Sequence, residues 1–349
     1  MIENWLVYTT NKLGGAVQGV GKRKMKDINQ KSLLRVLLQN DTVSQTEMLK
    51  TINLRKATVS VLTNELKKMG MIDEAGEGRV SLKGGRRQQY LKLNRGKIVA
   101  CGATLRPGGV KLGLCNLQGQ LLYSKTVALT RYHIEDWAPI IKEYVLSARK
   151  KCRRDHLIYL GAGFITGSTY NSIKKEFLGF SLDPATGQTL TQLFGDAVDV
   201  GDDYPNAMAL GEMWFGIAAG LKDFLYLQLR NPKVTAVIGG KIYRGHRMMA
   251  GEISGSHTGS GTIAGLIGRG AAVFKEPAFT SWIEDLNRYY DPEKIVLSAE
   301  NIVPGLTENL SALNKGIGGN ILLGALGPED GPRAAAALVF EDHFQSSIV

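Results

Sequence analysis

The stretch from Ser44 to Gly70, SQTEMLKTINLRKATVSVLTNELKKMG, constrains this chain more than any other. Ser44 with Glu47 is a capping-box pair, in which the hydroxyl accepts from the Glu47 amide and the carboxylate reaches back to the Ser44 amide. Met48, Leu49 and Ile52 then give a short apolar face. Asn53 falls where the chain must turn, and Asn tolerates the left-handed conformation better than most residues. Val59, Leu62, Leu66 and Met69 follow at three- and four-residue spacing, which predicts a second helix with one buried face. Its other face carries Arg55, Lys56, Thr58, Ser60, Thr63, Asn64 and Lys67, donors suited to phosphates and base edges. A short helix, a tight turn and a second helix with a basic outer face predict a helix-turn-helix whose second helix enters the major groove of DNA.

The next segment extends that reading. Met71-Ile72 and Tyr90–Leu93 read as strands, and between them lie Gly76, Gly78, Gly84 and Gly85 with Arg79, Lys83, Arg86 and Arg87. A hairpin with a Gly-rich, basic loop is a wing, able to lay Arg side chains along a phosphate backbone or into a minor groove. The candidate DNA-binding residues are Ser44, Gln45, Arg55, Lys56, Thr58, Ser60, Arg86 and Arg87. Charge agrees: of the net +11 formal charge, residues 1–95 supply +10, from 18 Lys and Arg against 8 Asp and Glu. A basic segment on a neutral body is the footprint of a nucleic-acid partner. Ahead of it, Asp27–Asn40 reads as the first helix of the winged unit, and residues 1–27 as an N-terminal arm.

The three cysteines, Cys101, Cys115 and Cys152, form no CxxC pair, which fits a reducing cytoplasm better than a disulfide framework. The opening MIENWLVYTTNKLGG has no apolar run long enough for a signal peptide, and no stretch approaches the roughly 20 apolar residues of a membrane span. Beyond Arg95 the chain alternates strands and helices. Val99–Tyr123 reads as three strands with turns at Pro107-Gly108-Gly109 and Gln118-Gly119. Phe224–Tyr243 repeats the plan, with turns at Asn231-Pro232 and Gly239-Gly240, and LRPGGVKLGL lines up with LRNPKVTAVI. Two halves opening on the same meander predict a duplicated α/β body with a cleft between the halves.

KATVS (Lys56–Ser60), GGRR (Gly84–Arg87), NAMALGE (Asn206–Glu212), GGKIYRG (Gly239–Gly245), AGEI (Ala250–Ile253) and DPEKIVL (Asp291–Leu297) occur in an order that resembles the ROK family of repressors, open reading frames and kinases. The likeness is greatest to its winged-helix repressors, which control N-acetylglucosamine, glucose and xylose genes. It implies an α/β fold: a winged helix-turn-helix at 28–95, then a duplicated actin-like, hexokinase-like body at 96–349. The body's halves would cover about 96–220 and 221–330, with a C-terminal helix at about 332–344. A sugar would bind in the cleft.

Against the family's kinases the sequence departs at each nucleotide-binding position. The Asp of the first phosphate turn falls on Thr104 and a loop glycine on Arg106. The Gly-Thr-Gly turn is Arg230-Asn231-Pro232, and Ser298-Ala299-Glu300 stand where the adenosine glycines belong. The catalytic Asp position is Tyr204, and a phenol of pKa about 10 is a poor base at neutral pH. Phosphoryl transfer rests on positioning and charge neutralisation, so these losses predict a non-enzyme. The family's zinc site is missing too: the His position is Gly255, and no cysteine follows Cys152. Neither metal nor cofactor is therefore expected. Of the sugar pocket, the resemblance implies Gly163 and Thr166 in the Gly161–Ser168 loop, Asp203 at the pocket Asn position, Asn206, and Glu252 as acceptor of sugar hydroxyls. Glu276 is a weaker candidate for a second pocket Glu.

The reading that follows is a cytoplasmic DNA-binding repressor of sugar-utilisation genes. It would act as a homodimer or tetramer on a palindromic operator, with a sugar or sugar-phosphate effector. The alternatives are a sugar kinase with an accessory DNA-binding unit, and a constitutive DNA binder whose body only oligomerises.

Overall fold

A computed structural model describes residues 17–77, 88–178, 185–258, 261–301, 310–311, 314 and 320–344. The N-terminal unit, here the head, starts with helix α1, Val17–Gln39. The arm expected over 1–27 is thus helical from Val17. Its run of Lys, Arg, Met and Gln favours helix strongly enough to absorb two glycines. Strand β1 (Val43–Ser44) leads into α2 (Gln45–Thr51), and α3 (Lys56–Lys68) follows. The capping box is present, with the Ser44 hydroxyl accepting from the Glu47 amide at 3.2 Å and Glu47 Oε2 accepting from the Ser44 amide at 2.8 Å. The turn differs from expectation. Asn53 is not among the residues with positive φ. Instead Ile52 is extended and its carbonyl accepts from Leu54 N at 2.8 Å, a three-residue turn that reverses the chain without a left-handed residue.

Strands β2 (Ile72–Glu77) and β3 (Gln89–Leu93) pair antiparallel, and β1 pairs with β3, giving the sheet order β1-β3-β2. Three helices on a small antiparallel sheet with a β2–β3 hairpin make a winged helix-turn-helix. The hairpin tip, with Arg86 and Arg87, lies outside the described residues.

The body holds two five-stranded sheets. In the first lobe β4 (Ile98–Arg106), β5 (Gly109–Asn116) and β6 (Leu121–Ala128) form a meander. Helix α4 (Ile134–Arg154) then crosses to β7 (Ile158–Thr166). A small hairpin, β8 (Thr169–Asn171) with β9 (Glu176–Leu178), and the short α5 (Leu190–Phe194) precede β10 (Val200–Asp203) and α6 (Tyr204–Phe215). In the second lobe β11 (Phe224–Gln228), β12 (Lys233–Ile238) and β13 (Lys241–Tyr243) repeat the meander. There follow β14 (His257–Thr258), β15 (Gly261–Thr262), α7 (Ile263–Ile267), α8 (Pro277–Tyr290), β16 (Lys294–Leu297), β17 (Ile321–Leu323) and α9 (Gly331–Phe344).

The two sheets have one topology. The orders β6-β5-β4-β7-β10 and β13-β12-β11-β16-β17 correspond strand for strand, with the meander antiparallel and the last two strands parallel in each. The local repeat of LRPGGVKLGL and LRNPKVTAVI therefore belongs to a true structural duplication.

Helices α6 and α9 join the lobes. Ala334, Ala335, Ala336 and Ala337 of α9 are all fully buried. A helix apolar on every side has partners on every side. Here they are the first-lobe sheet, α6 and α1. The approach is close because glycines face it: a Cβ at Gly102 or Gly163 would overlap the Pro332 or Ala335 carbonyl, and one at Gly211 would press on Leu326 and Ala334. At its far end α9 enters the head. Leu33 and Leu37 of α1 share one apolar core with Leu91, Ile98, Leu160, Phe340 and Phe344. Arg95 Nη2 donates to the Leu38 carbonyl at 2.8 Å and Arg35 Nε to that of Phe344 at 3.3 Å. Among the described residues no helix is long and apolar enough to cross a membrane.

Candidate nucleic-acid interface and ligand pocket

Helix α3 presents less of its polar sequence than its composition suggests. Val59, Leu62 and Leu66 are buried, and so is Thr63, which the sequence placed on the outer face. Thr63 Oγ1 donates to the Val59 carbonyl at 2.8 Å, so its polar atom is satisfied within the helix. It also accepts from Gln45 Nε2 at 2.8 Å, which ties the start of α2 to α3. Ser44 is 1% exposed and committed to its cap. Ser44 is therefore a structural residue rather than a DNA contact, and Gln45 is half-buried and engaged. Thr58 is half-buried and lines an open groove of about 480 Å³ between α1 and α3, beside Met25, Asn29 and Val61. Lys26 and Glu65, which also line that groove, pair across it at 2.8 Å. The exposed polar residues of this segment are thus Arg55, Lys56, Asn64 and Lys68, with Ser60 half-buried, and Ala57 and Val61 are exposed beside them. Arg55 stands at the N-cap position with no side-chain cap, so its guanidinium is not spent on the helix end.

The second site lies between the lobes, at the N-terminus of α6. Asp203 is the N-cap: its Oδ1 accepts from the Asn206 amide at 2.9 Å and its Oδ2 from Asn206 Nδ2 at 2.8 Å. Asn206 Oδ1 accepts from Thr235 Oγ1 at 2.9 Å. Lys233, from β12 in the second lobe, reaches across. Its ammonium lies 2.9 Å from Asp203 Oδ2 and 2.8 Å from Glu252 Oε1. Thr169 Oγ1 donates to the same Glu252 oxygen at 3.3 Å. Beside them Arg244 forks onto Asp202, with Nη1 on Oδ1 at 2.8 Å and Nη2 on Oδ2. The Glu252 loop is docked by Gly251, whose φ of 82° and close approach to the Val234 carbonyl leave no room for a Cβ.

Burial sets the charges. Asp203 is raised to about 6, chiefly by burial and in part by Asp202, with Lys233 opposing. Burial opposes the Lys233 ammonium, but Asp203 and Glu252 together hold its pKa above the ordinary value. Three carboxylates and two cations thus form a nearly closed network in which Glu252 is the most exposed member, its side chain 35% accessible.

Several expected pocket residues have other duties here. Gly161–Ser168 is mostly strand β7 rather than a loop, and Gly163 faces the Ala335 carbonyl of α9, so its missing side chain admits a helix, not a ligand. Thr166 is fully buried opposite Asp203 in the β7–β10 register. Both ends of the Asn206 amide are spent inside the protein. Glu276 precedes α8 and pairs with Arg269 at 3.1 Å. Asp203 and Glu252 do come together, through Lys233. Sequence reasoning missed Lys233, Arg244 and Asp202. The legible signals were a Lys among apolar residues in KVTAVI and the tandem Asp202-Asp203.

The structure thus joins a winged helix-turn-helix to a two-lobed body whose polar pocket lies between the lobes. No family model matches the chain. A provisionally named xylose repressor of a Caldicellulosiruptor species is 30% identical over 66% of this chain and 58% of its own length. The xylose repressor of Caldicellulosiruptor bescii is 29% identical over the same shares, so the chain spans less than two thirds of these relatives. Among solved structures, a ROK family transcriptional regulator described as a homologue of the Escherichia coli MLC protein covers 92% of this chain and 97% of its own, at TM-score 0.63 and 15% identity. A ROK hexokinase from Thermus thermophilus covers 70% of this chain, at TM-score 0.53 and 18% identity. The chain as a whole thus shares the fold of that ROK regulator, and its body shares the hexokinase-like fold of the ROK kinase.

Proposed function

We propose that this chain is a DNA-binding transcriptional repressor of sugar-utilisation genes, working in the cytoplasm through a body that senses a sugar without phosphorylating it. The observation that carries the reading is the shared core between head and body. Helix α6 runs from the Asp203–Lys233 pocket to Trp214, whose Nε1 donates to Glu341 of α9 at 3.0 Å, and α9 packs on α1 of the head. A ligand that shifts α6 has a packed path to the DNA-reading helix. The repressor names of the sequence relatives support the same reading.

In this reading residues up to about 95 bind duplex DNA, and the body at 96–349 pairs two copies so that two α3 helices meet a palindrome. Arg55 and Lys56 contact phosphate or base edges, and Arg86 and Arg87 contact the backbone. The effector is a sugar or sugar phosphate held at Glu252 and Asp203, and its entry breaks or reshapes the Lys233 bridge. Tyr204 at the kinases' catalytic Asp position supports an inactive body, with neither zinc nor nucleotide needed.

The test starts from selection of a duplex from a random pool by the full chain. Lys56→Ala should then cost roughly 1–3 kcal/mol on the selected site. Affinity should fall steeply as salt rises. Binding without salt dependence, or ATP turnover on any hexose of a panel, would count against the proposal.

A further inference from the structure

Next to Asp203 at the start of α6, three side chains from separate segments meet. Arg106 ends β4 in the first lobe, Tyr204 opens α6, and Glu300 stands in the short turn after β16 in the second lobe. Arg106 Nη1 lies 2.6 Å from Glu300 Oε1, and the Tyr204 hydroxyl donates to that same oxygen. The guanidinium also stacks on the Tyr204 ring, 3.9 Å from its centroid. The Glu300 side chain is 2% exposed and that of Arg106 18%. Among the described residues Glu300 Oε2 is buried with no hydrogen-bond partner, and the carboxylate is compensated there by Arg106 and Tyr204.

The three positions are those at which the kinase pattern has a phosphate-loop glycine, a catalytic Asp and an adenosine glycine. The substitutions are therefore not three independent losses. A guanidinium, a phenol and a carboxylate replace small or acidic residues and satisfy one another in the space that a nucleotide would take. We propose that Arg106, Tyr204 and Glu300 form a latch that holds the two lobes together across the vacated nucleotide cleft, so that closure there needs no nucleotide. The latch stands on its own geometry, whether or not the head binds DNA. Its consequence for a sensor is that a ligand can act on the lobes from the Lys233 pocket with this side of the cleft already held.

Hydrogen exchange on the full chain tests this. Glu300→Gln keeps the shape and an acceptor for Tyr204 but removes the charge. Arg106→Met keeps the apolar stem and removes the donor. Each should speed exchange of the amides in 98–106 and 294–301 by about tenfold or more, as local opening becomes easier. Exchange in α3 should stay unchanged, which reports that the variant is folded. The swap of Arg106→Glu with Glu300→Arg should restore most of the protection. A non-hydrolysable ATP analogue should leave wild-type exchange in both segments unaltered, an arm that needs no variant. Wild-type exchange rates in both single variants, or protection of the cleft by the analogue, would overturn the latch.

Discussion

Lys233 is the residue on which the pocket depends. Two carboxylates from different segments, Asp203 and Glu252, are bridged by its ammonium, and its side chain is 5% exposed. Removing one partner of a buried ion pair leaves an uncompensated charge, so Lys233→Met should destabilise the body by about 3–5 kcal/mol in urea unfolding. A loss under about 1 kcal/mol would mean that water already screens the network. Asp203 makes a prediction in pH. Its carboxyl is held at about 6 by burial, above the unfolded value of about 3.9. The folded state therefore binds this proton more tightly than the unfolded chain does. The stability it contributes is fully present below pH about 3.9 and is lost as pH rises through about 6. Asparagine cannot titrate, so wild-type stability minus that of Asp203→Asn should fall between pH 4 and pH 7. A flat or rising difference, from denaturation at several pH values, contradicts the assignment.

At the scale of elements, what could be read from sequence was whatever local chemistry decides. The Ser44–Glu47 capping box, the apolar stripe of α3 and both meanders were legible because each is set by neighbours a few residues apart. Thr63 was misread because its residue type is polar, while its hydroxyl is consumed one helical turn back. The Gly161–Ser168 segment was misread for a related reason. The resemblance implied a ligand loop there, yet here the glycines thin the face of a buried strand so that α9 can lie against it. Gly163→Ala tests this: a Cβ there would overlap the Ala335 carbonyl. The strain should cost about 1–3 kcal/mol by chemical denaturation. A neutral effect would restore the ligand-contact reading of that glycine. The Lys233 bridge and the Arg106–Tyr204–Glu300 cluster were out of reach because their members lie far apart in sequence and only the folded topology brings them together. The family resemblance marked Arg106, Tyr204 and Glu300 as separate departures, but that they meet follows only from the fold.

At the scale of the molecule, head and body are one cooperative object rather than beads on a linker. Phe340 is fully buried in the core that the head shares with the first lobe. It also packs on Trp214 at a centroid distance of 5.8 Å. Phe340→Ala should cost about 3–5 kcal/mol. It should also split one thermal transition into two, with the head melting first, when a probe on α3 is compared with one on α8. Coincident transitions in the variant would show that the head is stable without α9.

The same helix sets an order of events during synthesis. The head leaves the ribosome early, but α9, which closes its core, is made only after the whole body. At about 5–20 residues per second the head waits many seconds with the apolar face of α1 uncovered. A truncated or stalled chain thus carries α2 and α3 without the packing that steadies them, and such fragments should go to chaperones and proteases.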